Sequence, residues 1–415
     1  MDEDFDEFTD DDEAGEKLDL SQLALDRGDD EEALRLVEEY LEAYPLDVEA
    51  LNICAVAAAN LGDHAKAMAL YRAALVYDPQ NGAIHHNFGV LLEKLKQHED
   101  ALRHFDRSLQ LQPDFPEAYI NRGNVLEELG LLEESLLMYD EALRRMPDST
   151  DASFNKAYAL SRLGRHEDAL HSFRQVLAVN PTDAATLNGI GSSLAALNRH
   201  DEALSYFNRA LRSTSSVASF YYNRGLAYRH LGQIEPALED FDTALGLDSA
   251  FGEALVEKVL LLHDSERPDE AFAALTAAEL TAPDNAEIPF YRALLHERRG
   301  ELPDALAQLD LSLQRDPESD YTLNNKGNVL MDLGRLDEAL DCFNTILQRA
   351  PDYSLAHYNR ACVFARQGKA QETIRELKIV YRQDARLLDD AQLDPDFEWL
   401  RNNPFFLKLT GQKKV

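Results

Sequence analysis

Residues 116–149 read PEAYINRGNVLEELGLLEESLLMYDEALRRMPDS, and the pattern returns every 34 residues along almost the whole chain. Tyr119, Arg122, Gly123 and Leu126 recur at steps of three and four. After an interruption at Gly130, Ser135, Leu136, Tyr139, Ala142 and Leu143 do the same. This periodicity describes two amphipathic helices joined by a tight turn. Gly130 accepts the positive φ that ends the first helix cleanly. Pro147 stops the second, because proline has no N–H for the ladder and disfavours helical geometry in the residue before it. Small residues on the first helix opposite Ala on the second let the backbones approach, and Leu and aromatic side chains fill the grooves beside them.

Read outward from this stretch, eleven repeats begin at Ala14, Val48, Gly82, Pro116, Thr150, Ala184, Ala218, Gly252, Ala286, Asp320 and Ser354 without an insertion. A small residue occupies the eighth place of most of them (Gly89, Gly123, Gly191, Gly225, Gly327) and a turn glycine the fifteenth (Gly28, Gly62, Gly130, Gly164, Gly232, Gly300, Gly334, Gly368). An aromatic residue stands at the twenty-fourth place (Phe105, Tyr139, Phe173, Phe207, Phe241, Phe343), and a proline closes most repeats. The pattern resembles the tetratricopeptide repeat family across residues 14–387. No single repeat buries both its faces, so stability comes from stacking on neighbours. The expected fold is all-α: a right-handed superhelical solenoid of tandem helix-turn-helix repeats.

The two ends depart from the array. Residues 1–13, MDEDFDEFTDDDE, are too acidic and too short to pack and read as a disordered tail. Residues 388–415 place Trp399, Leu400, Phe405, Phe406 and Leu409 at roughly helical spacing, as expected of a capping helix over the last apolar face, followed by a short basic tail. Within the array, Ser215 and Ser249 replace the closing proline, repeat eight lacks its turn glycine, and Pro289 falls in a first helix. Residues 213–303 are therefore the expected place for bending or for a partner-specific surface.

The 415 residues carry 76 acidic against 41 Lys and Arg side chains, a net charge of −35. Nucleic acid and anionic membrane surfaces are disfavoured as partners, since both are bound through clustered cations. No apolar stretch reaches transmembrane length, and charge stands where a signal peptide needs an apolar core. Cys54, Cys342 and Cys362 have no pairing or metal spacing, which suits a reducing, cytoplasmic compartment. The acidity fits either a high-salt host, where screening relieves self-repulsion, or an ordinary acidic scaffold.

Catalytic, cofactor and metal patterns are missing or broken. Gly189-Ile190-Gly191 begins like a dinucleotide fingerprint but lacks the third glycine and lies inside a repeat helix. His98-Glu99 and His166-Glu167 open zinc-like phrases, yet Leu102 and Leu170 stand where the second histidine would be. Asp2, Asp4, Asp6, Asp10 and Glu13 are spaced like calcium-loop ligands, but Glu7 replaces the required glycine. The sequence therefore predicts no enzyme, no cofactor and no metal.

Resemblance to the family implies a ligand groove lined by the second, fifth, sixth, ninth, twelfth and thirteenth places of each repeat, which share one helical face. The sixth place holds Asn87, Asn121, Asn155, Asn223, Asn325 and Asn359. A side-chain amide both donates and accepts, so such a series can pair with an extended peptide backbone. The arrangement is similar to the asparagine ladder in the repeat domain of O-linked N-acetylglucosamine transferases, without a catalytic domain here. The plain alternative is that these asparagines cap or solvate helix surface. Phe154, Tyr158 and Tyr222 form a candidate aromatic floor, with Phe290, Tyr321 and Tyr358 further along. Glu127 and Glu128, with Glu93, Glu117 and Asp151, favour a neutral to basic ligand. A chaperone-type carboxylate clamp is not expected: Asn124 and Asn328 match its asparagine, but Ile120 and Asn324 stand where it needs lysine. The expected function is a protein-interaction scaffold holding an extended or helical partner segment. The alternatives are a regulatory subunit or assembly chaperone whose acidic tail competes with a basic client, and an accessory factor of a protein glycosyltransferase.

Overall fold

The computed structural model describes residues 10–389 and 391–411. They form helix pairs in register with the sequence repeats, from α1 (Asp10–Asp26) with α2 (Asp30–Ala43) to α21 (Ser354–Arg366) with α22 (Ala370–Gln383). Odd-numbered helices are the first of each repeat, and no strand occurs among the described residues. The chain divides into two compact units at Ser215 and Ser216, inside the Arg212–Ser216 connection that lacks its closing proline. The N-terminal unit holds repeats one to six and the C-terminal unit repeats seven to eleven. Among the described residues no helix is long and apolar enough to cross a membrane.

All eight turn glycines adopt the left-handed conformation, with φ between 70° and 87°. At Gly130 the turn closes by two bonds, Leu131 N–H to Leu126 C=O at 2.9 Å and Gly130 N–H to Glu127 C=O at 3.0 Å. Three repeats lack the glycine and keep the turn: Lys96, Asn198 and Glu266 sit at φ near 60° and make the same pair of bonds. The turn is thus held by its hydrogen bonds even where the residue is strained. Pro289 falls in the first turn of α17 (Glu287–Arg298), where its missing N–H costs nothing.

The eighth-place glycine is explained by the aromatic ring it faces. A Cβ on Gly123 would stand 2.6 Å from the Tyr139 ring, and one on Gly191 2.5 Å from Phe207. Where the twenty-fourth place is Leu275, Leu309 or Leu377, the eighth is instead Val259, Ala293 or Ala361. Repeat five has Ala157 at the eighth place, and its Phe173 finds clearance against Gly189 of the next repeat, 2.6 Å from the position of a Cβ. Ring and clearance come together because the interior has no spare volume.

Both ends correct the sequence reading. Residues 10–13, expected as tail, begin α1; the expectation for residues 1–9 lies outside the described residues. The C-terminal cap is not one helix. It consists of 3-10 turns at Ala385–Leu388 and Pro395–Leu400 followed by α23 (Pro404–Thr410), because Asp394-Pro395 and Asn403-Pro404 each start a new element. Its core is Phe397, Leu400 and Phe406, all buried, whereas Trp399 and Phe405 are 50% and 61% exposed.

Candidate functional site

Three consecutive first helices of the N-terminal unit, α5 (Gly82–Lys94), α7 (Pro116–Glu128) and α9 (Thr150–Arg162), place side chains on one face at steps of three and four. Glu93, Asn124, Glu127, Glu128, Phe154, Asn155, Tyr158 and Arg162 there line an open cavity of about 310 Å³. Six of the sequence-derived candidates meet in it: Asn155, Phe154, Tyr158, Glu93, Glu127 and Glu128.

Hydrogen bonds fix the cavity wall. Asn155 Nδ2 donates to Asn124 Oδ1 at 2.8 Å. The buried Tyr139 hydroxyl points at Asn124 Oδ1, 3.0 Å away, and at Glu127 Oε2, 3.1 Å away. Arg162 donates to Glu127 Oε1 at 3.2 Å and to the Glu127 carbonyl at 3.3 Å. Lys96 reaches both oxygens of Glu128 at 2.8 and 2.9 Å. Glu93 is different, since among the described residues no donor meets its carboxylate. Burial, and then the neighbouring Glu128 charge, push it up to about 7, with Lys96 opposing. Three carboxylates thus line the cavity, and of the two neighbouring cations Arg162, in the lining, is committed to Glu127 and Lys96, outside it, to Glu128. Phe154 packs edge-on to Phe173 at 5.8 Å, and Tyr158 is 52% exposed. A carboxylate without a donor beside an open aromatic ring suits a lysine or arginine side chain, which combines a charged head with an apolar stem.

The remaining asparagines do other work. Asn121 donates to His86 Nε2 at 2.9 Å, His86 Nδ1 meets Asn87 Oδ1 at 3.2 Å, and Asn87 donates to Asn52 Oδ1 at 3.1 Å. One direction of donation runs through the series when His86 is neutral with its proton on Nδ1, and burial does lower the affinity of this ring for a second proton. Asn87, Asn121 and Asn155 each spend one N–H on the preceding repeat and keep a second.

The other candidates lie in the C-terminal unit. Asn359 is buried and donates to the buried Asn324 at 2.9 Å. Asn325 turns back to its own helix, bonding the Tyr321 carbonyl at 2.8 Å. Tyr222 packs on Phe251 and Phe241 at 5.0 and 6.1 Å, half-buried like its neighbour Asn223. Tyr358 donates to Asp394 of the cap at 2.8 Å. The sequence reading missed Arg162 and Lys96. Lys96 had a visible signal, since it occupies the place where a turn glycine was expected. The missed role of Asn52, His86 and Asn324 also has one: each stands at the fifth place of a repeat, one repeat before a sixth-place asparagine.

Among the described residues two groups have metal-ligand geometry, His296 with Glu301 and Asp304, and Cys362 with Asp394 and Asp396. Both are already tied up internally, through His296 on Glu301 at 2.6 Å and through Tyr358 and Arg366 on the two aspartates.

Sequence profiles described as tetratricopeptide repeat match residues 18–149, 154–251 and 256–353 in overlapping segments. A tetratricopeptide repeat and J domain-containing co-chaperone of Fusarium oxysporum f. sp. lycopersici is 31% identical over 104 residues, 24% of this chain and 20% of that protein. The chain thus matches about one fifth of that relative's length. Among solved structures, yeast Tom70 aligns with 98% of this chain and 100% of its own, at 16% identity and a TM-score of 0.52, a likeness of fold. YrrB, a repeat protein whose structure is described as having an unusual peptide-binding site, is 27% identical across 45% of this chain and 97% of its own, with a TM-score of 0.39.

Proposed function

Because this chain belongs to the tetratricopeptide repeat family, we propose that it is a non-enzymatic, cytoplasmic scaffold that holds a basic segment of a partner protein against α5, α7 and α9. The carrying observation is Glu93, a partly buried carboxylate that no donor among the described residues meets, lining one cavity with Glu127, Glu128 and the exposed ring of Tyr158. A lysine or arginine of the partner supplies the missing donor and lays its stem on Tyr158. The free N–H groups of Asn87, Asn121 and Asn155 then meet the carbonyls of the partner's backbone, the limited form of asparagine ladder that their inter-repeat bonds permit. The remaining candidates Asn223, Asn325 and Tyr222 belong to a second stretch of groove in this proposal, whereas Asn359, buried against the buried Asn324, joins repeat eleven to repeat ten and does not meet the partner.

A random twelve-residue peptide library displayed on phage and selected on the immobilised full chain tests this reading. Enrichment of Lys or Arg flanked by apolar residues supports it. Enrichment of acidic peptides, or of none, counts against it.

The co-chaperone relative favours one further reading, an assembly chaperone for a basic client. The same cavity serves both, and the difference is whether the client leaves folded.

A further inference from the structure

Repeats three and eleven both carry histidine at the fourth place, and the same bond aims both rings. His357 sets Nε2 on the Pro351 carbonyl at 3.0 Å and Nδ1 on Glu376 at 2.7 Å. His85 sets Nε2 on the Pro79 carbonyl at 3.3 Å. Its Nδ1 faces the residue at the same twenty-third place, here His104 of α6 (His98–Leu111), at 3.0 Å. In repeat eleven that place holds a carboxylate, itself bonded by Arg360 at 2.7 Å, and His357 and Glu376 are buried together.

Repeat three differs, because two imidazoles meet. A carbonyl only accepts, so His85 carries its proton on Nε2 and, when neutral, a bare lone pair on Nδ1. The proton between the rings is then the Nδ1 proton of His104. In the triads around His296 and Cys362 the carboxylates already hold their own partners, whereas here two bases share one proton. Nitrogens 3.0 Å apart can each stand about 2.0–2.1 Å from one ion, which then sees them at about 90°, the angle of a tetragonal or octahedral site. A backbone carbonyl on the far nitrogen is the support that metal-binding histidines commonly have. The Phe88 ring packs on His104 at 4.5 Å, and both histidines are half-buried, within reach of solvent.

We propose that His85 and His104 bind a divalent transition-metal ion through their Nδ1 atoms, of the class that takes imidazole in tetragonal geometry, nickel(II) or copper(II), with water completing the shell. The ion replaces the shared proton, which His104 then carries on Nε2. Burial holds both rings below the ordinary histidine range, His104 down to about 4, so the ion meets neutral ligands at pH 7. Of the charges facing the pair, Asp100 attracts an ion, and Arg103 and Arg107 oppose it. Arg103 is itself bonded to Asp100 at 2.8 Å. The bound ion ties α5 to α6. The sequence reading expected no metal because it looked for a second histidine four places on along one helix; these two lie on different helices, 19 residues apart. Neither Glu93 nor its cavity takes part, so the proposal stands or falls separately from the basic-partner reading.

Calorimetric titration of the full-length chain with nickel(II), in excess magnesium to occupy carboxylates that prefer hard cations, tests this. The wild type should bind one equivalent. His85→Gln and His104→Gln should each weaken binding at least roughly tenfold, and His171→Gln, at an exposed histidine of the same unit, should leave it unchanged. Melting curves without metal establish that each variant folds. A second measurement needs no variant: the electron paramagnetic resonance spectrum of one equivalent of copper(II) on the wild type should show coupling to two imidazole nitrogens. Coupling to fewer than two, or nickel affinity unchanged in both His85→Gln and His104→Gln, would overturn the proposal.

Discussion

Asn155 donates to Asn124 across two consecutive first helices at 2.8 Å, where other repeats use a fifth-place partner. Asn87 bonds Asn52, Asn121 bonds His86, and Asn359 bonds Asn324. Repeat four has Ile120 at its fifth place, which offers no acceptor, so Asn155 reaches the ninth-place Asn124 instead. That shift brings the amide to the rim of the acidic cavity.

Asn359→Ala should therefore destabilise the protein, because it leaves the buried Asn324 carbonyl without its donor, a loss of about 1–3 kcal/mol. Asn325→Ala removes only a bond to its own helix and should stay within about 0.5 kcal/mol. Urea unfolding of the two variants separates a structural from a surface asparagine.

The eighth-place glycine has an equally sharp test. Gly123→Ala forces a Cβ against Tyr139 and should cost about 1–3 kcal/mol. Gly246 lies in the last turn of α14 (Ile234–Leu247) with nothing within 4 Å of a built Cβ. Gly246→Ala should raise stability by about 0.5–1 kcal/mol. Opposite shifts in the thermal midpoint are expected from the same chemical change.

Much of this was legible in residues 116–149. The turn glycines, closing prolines and facing Gly–aromatic pairs follow from local sterics, and a 34-residue period makes each local reading repeat itself. Lys96, Asn198 and Glu266 were not legible as left-handed residues, because only the bonds around them impose that conformation. The cap was misjudged because helical spacing of Trp399 and Phe405 says nothing about which ring finds a partner across the last repeat. The cavity was half legible. Its residue types could be placed on one face, but the pairing of Arg162 with Glu127 and of Lys96 with Glu128 depends on side-chain reach between repeats.

Glu266 supplies a third stability test. Held at φ 60°, it carries a left-handed strain of about 1–2 kcal/mol that glycine does not. Glu266→Gly should stabilise the C-terminal unit, the reverse of what removing a helix-forming residue would ordinarily do. A lower urea midpoint would mean that the side chain contributes more than the turn.

Two groups in the N-terminal unit give opposite pH dependences. Glu93 titrates near 7 in the folded state, above its unfolded value of about 4.3, so its contribution is greatest at low pH and is lost as pH rises through 7. His86 is held below its ordinary value by burial. Its neutral form completes the Asn121–His86–Asn87 series, so stability is lost as pH falls below about 6.5. Glu93→Gln should remove the alkaline-side loss alone, and His86→Asn the acid-side loss alone, in melting curves taken from pH 5 to 8. Both losses surviving in both variants would assign the pH dependence to other groups.

The most direct test of the basic-partner account is a calorimetric titration of the strongest lysine- or arginine-containing peptide from the display selection into the full chain. The comparison is with Glu93→Gln, with the double variant Glu127→Gln and Glu128→Gln, and with Glu133→Gln on the exposed face of α8 (Leu132–Arg145). Loss of a paired, partly desolvated carboxylate should weaken binding at least roughly tenfold in the first two and leave the third unchanged. Wild-type affinity should also rise from pH 6 to 8 as Glu93 ionises. Equal affinity in all four proteins, with folding intact, would contradict the account and move the partner away from α5, α7 and α9.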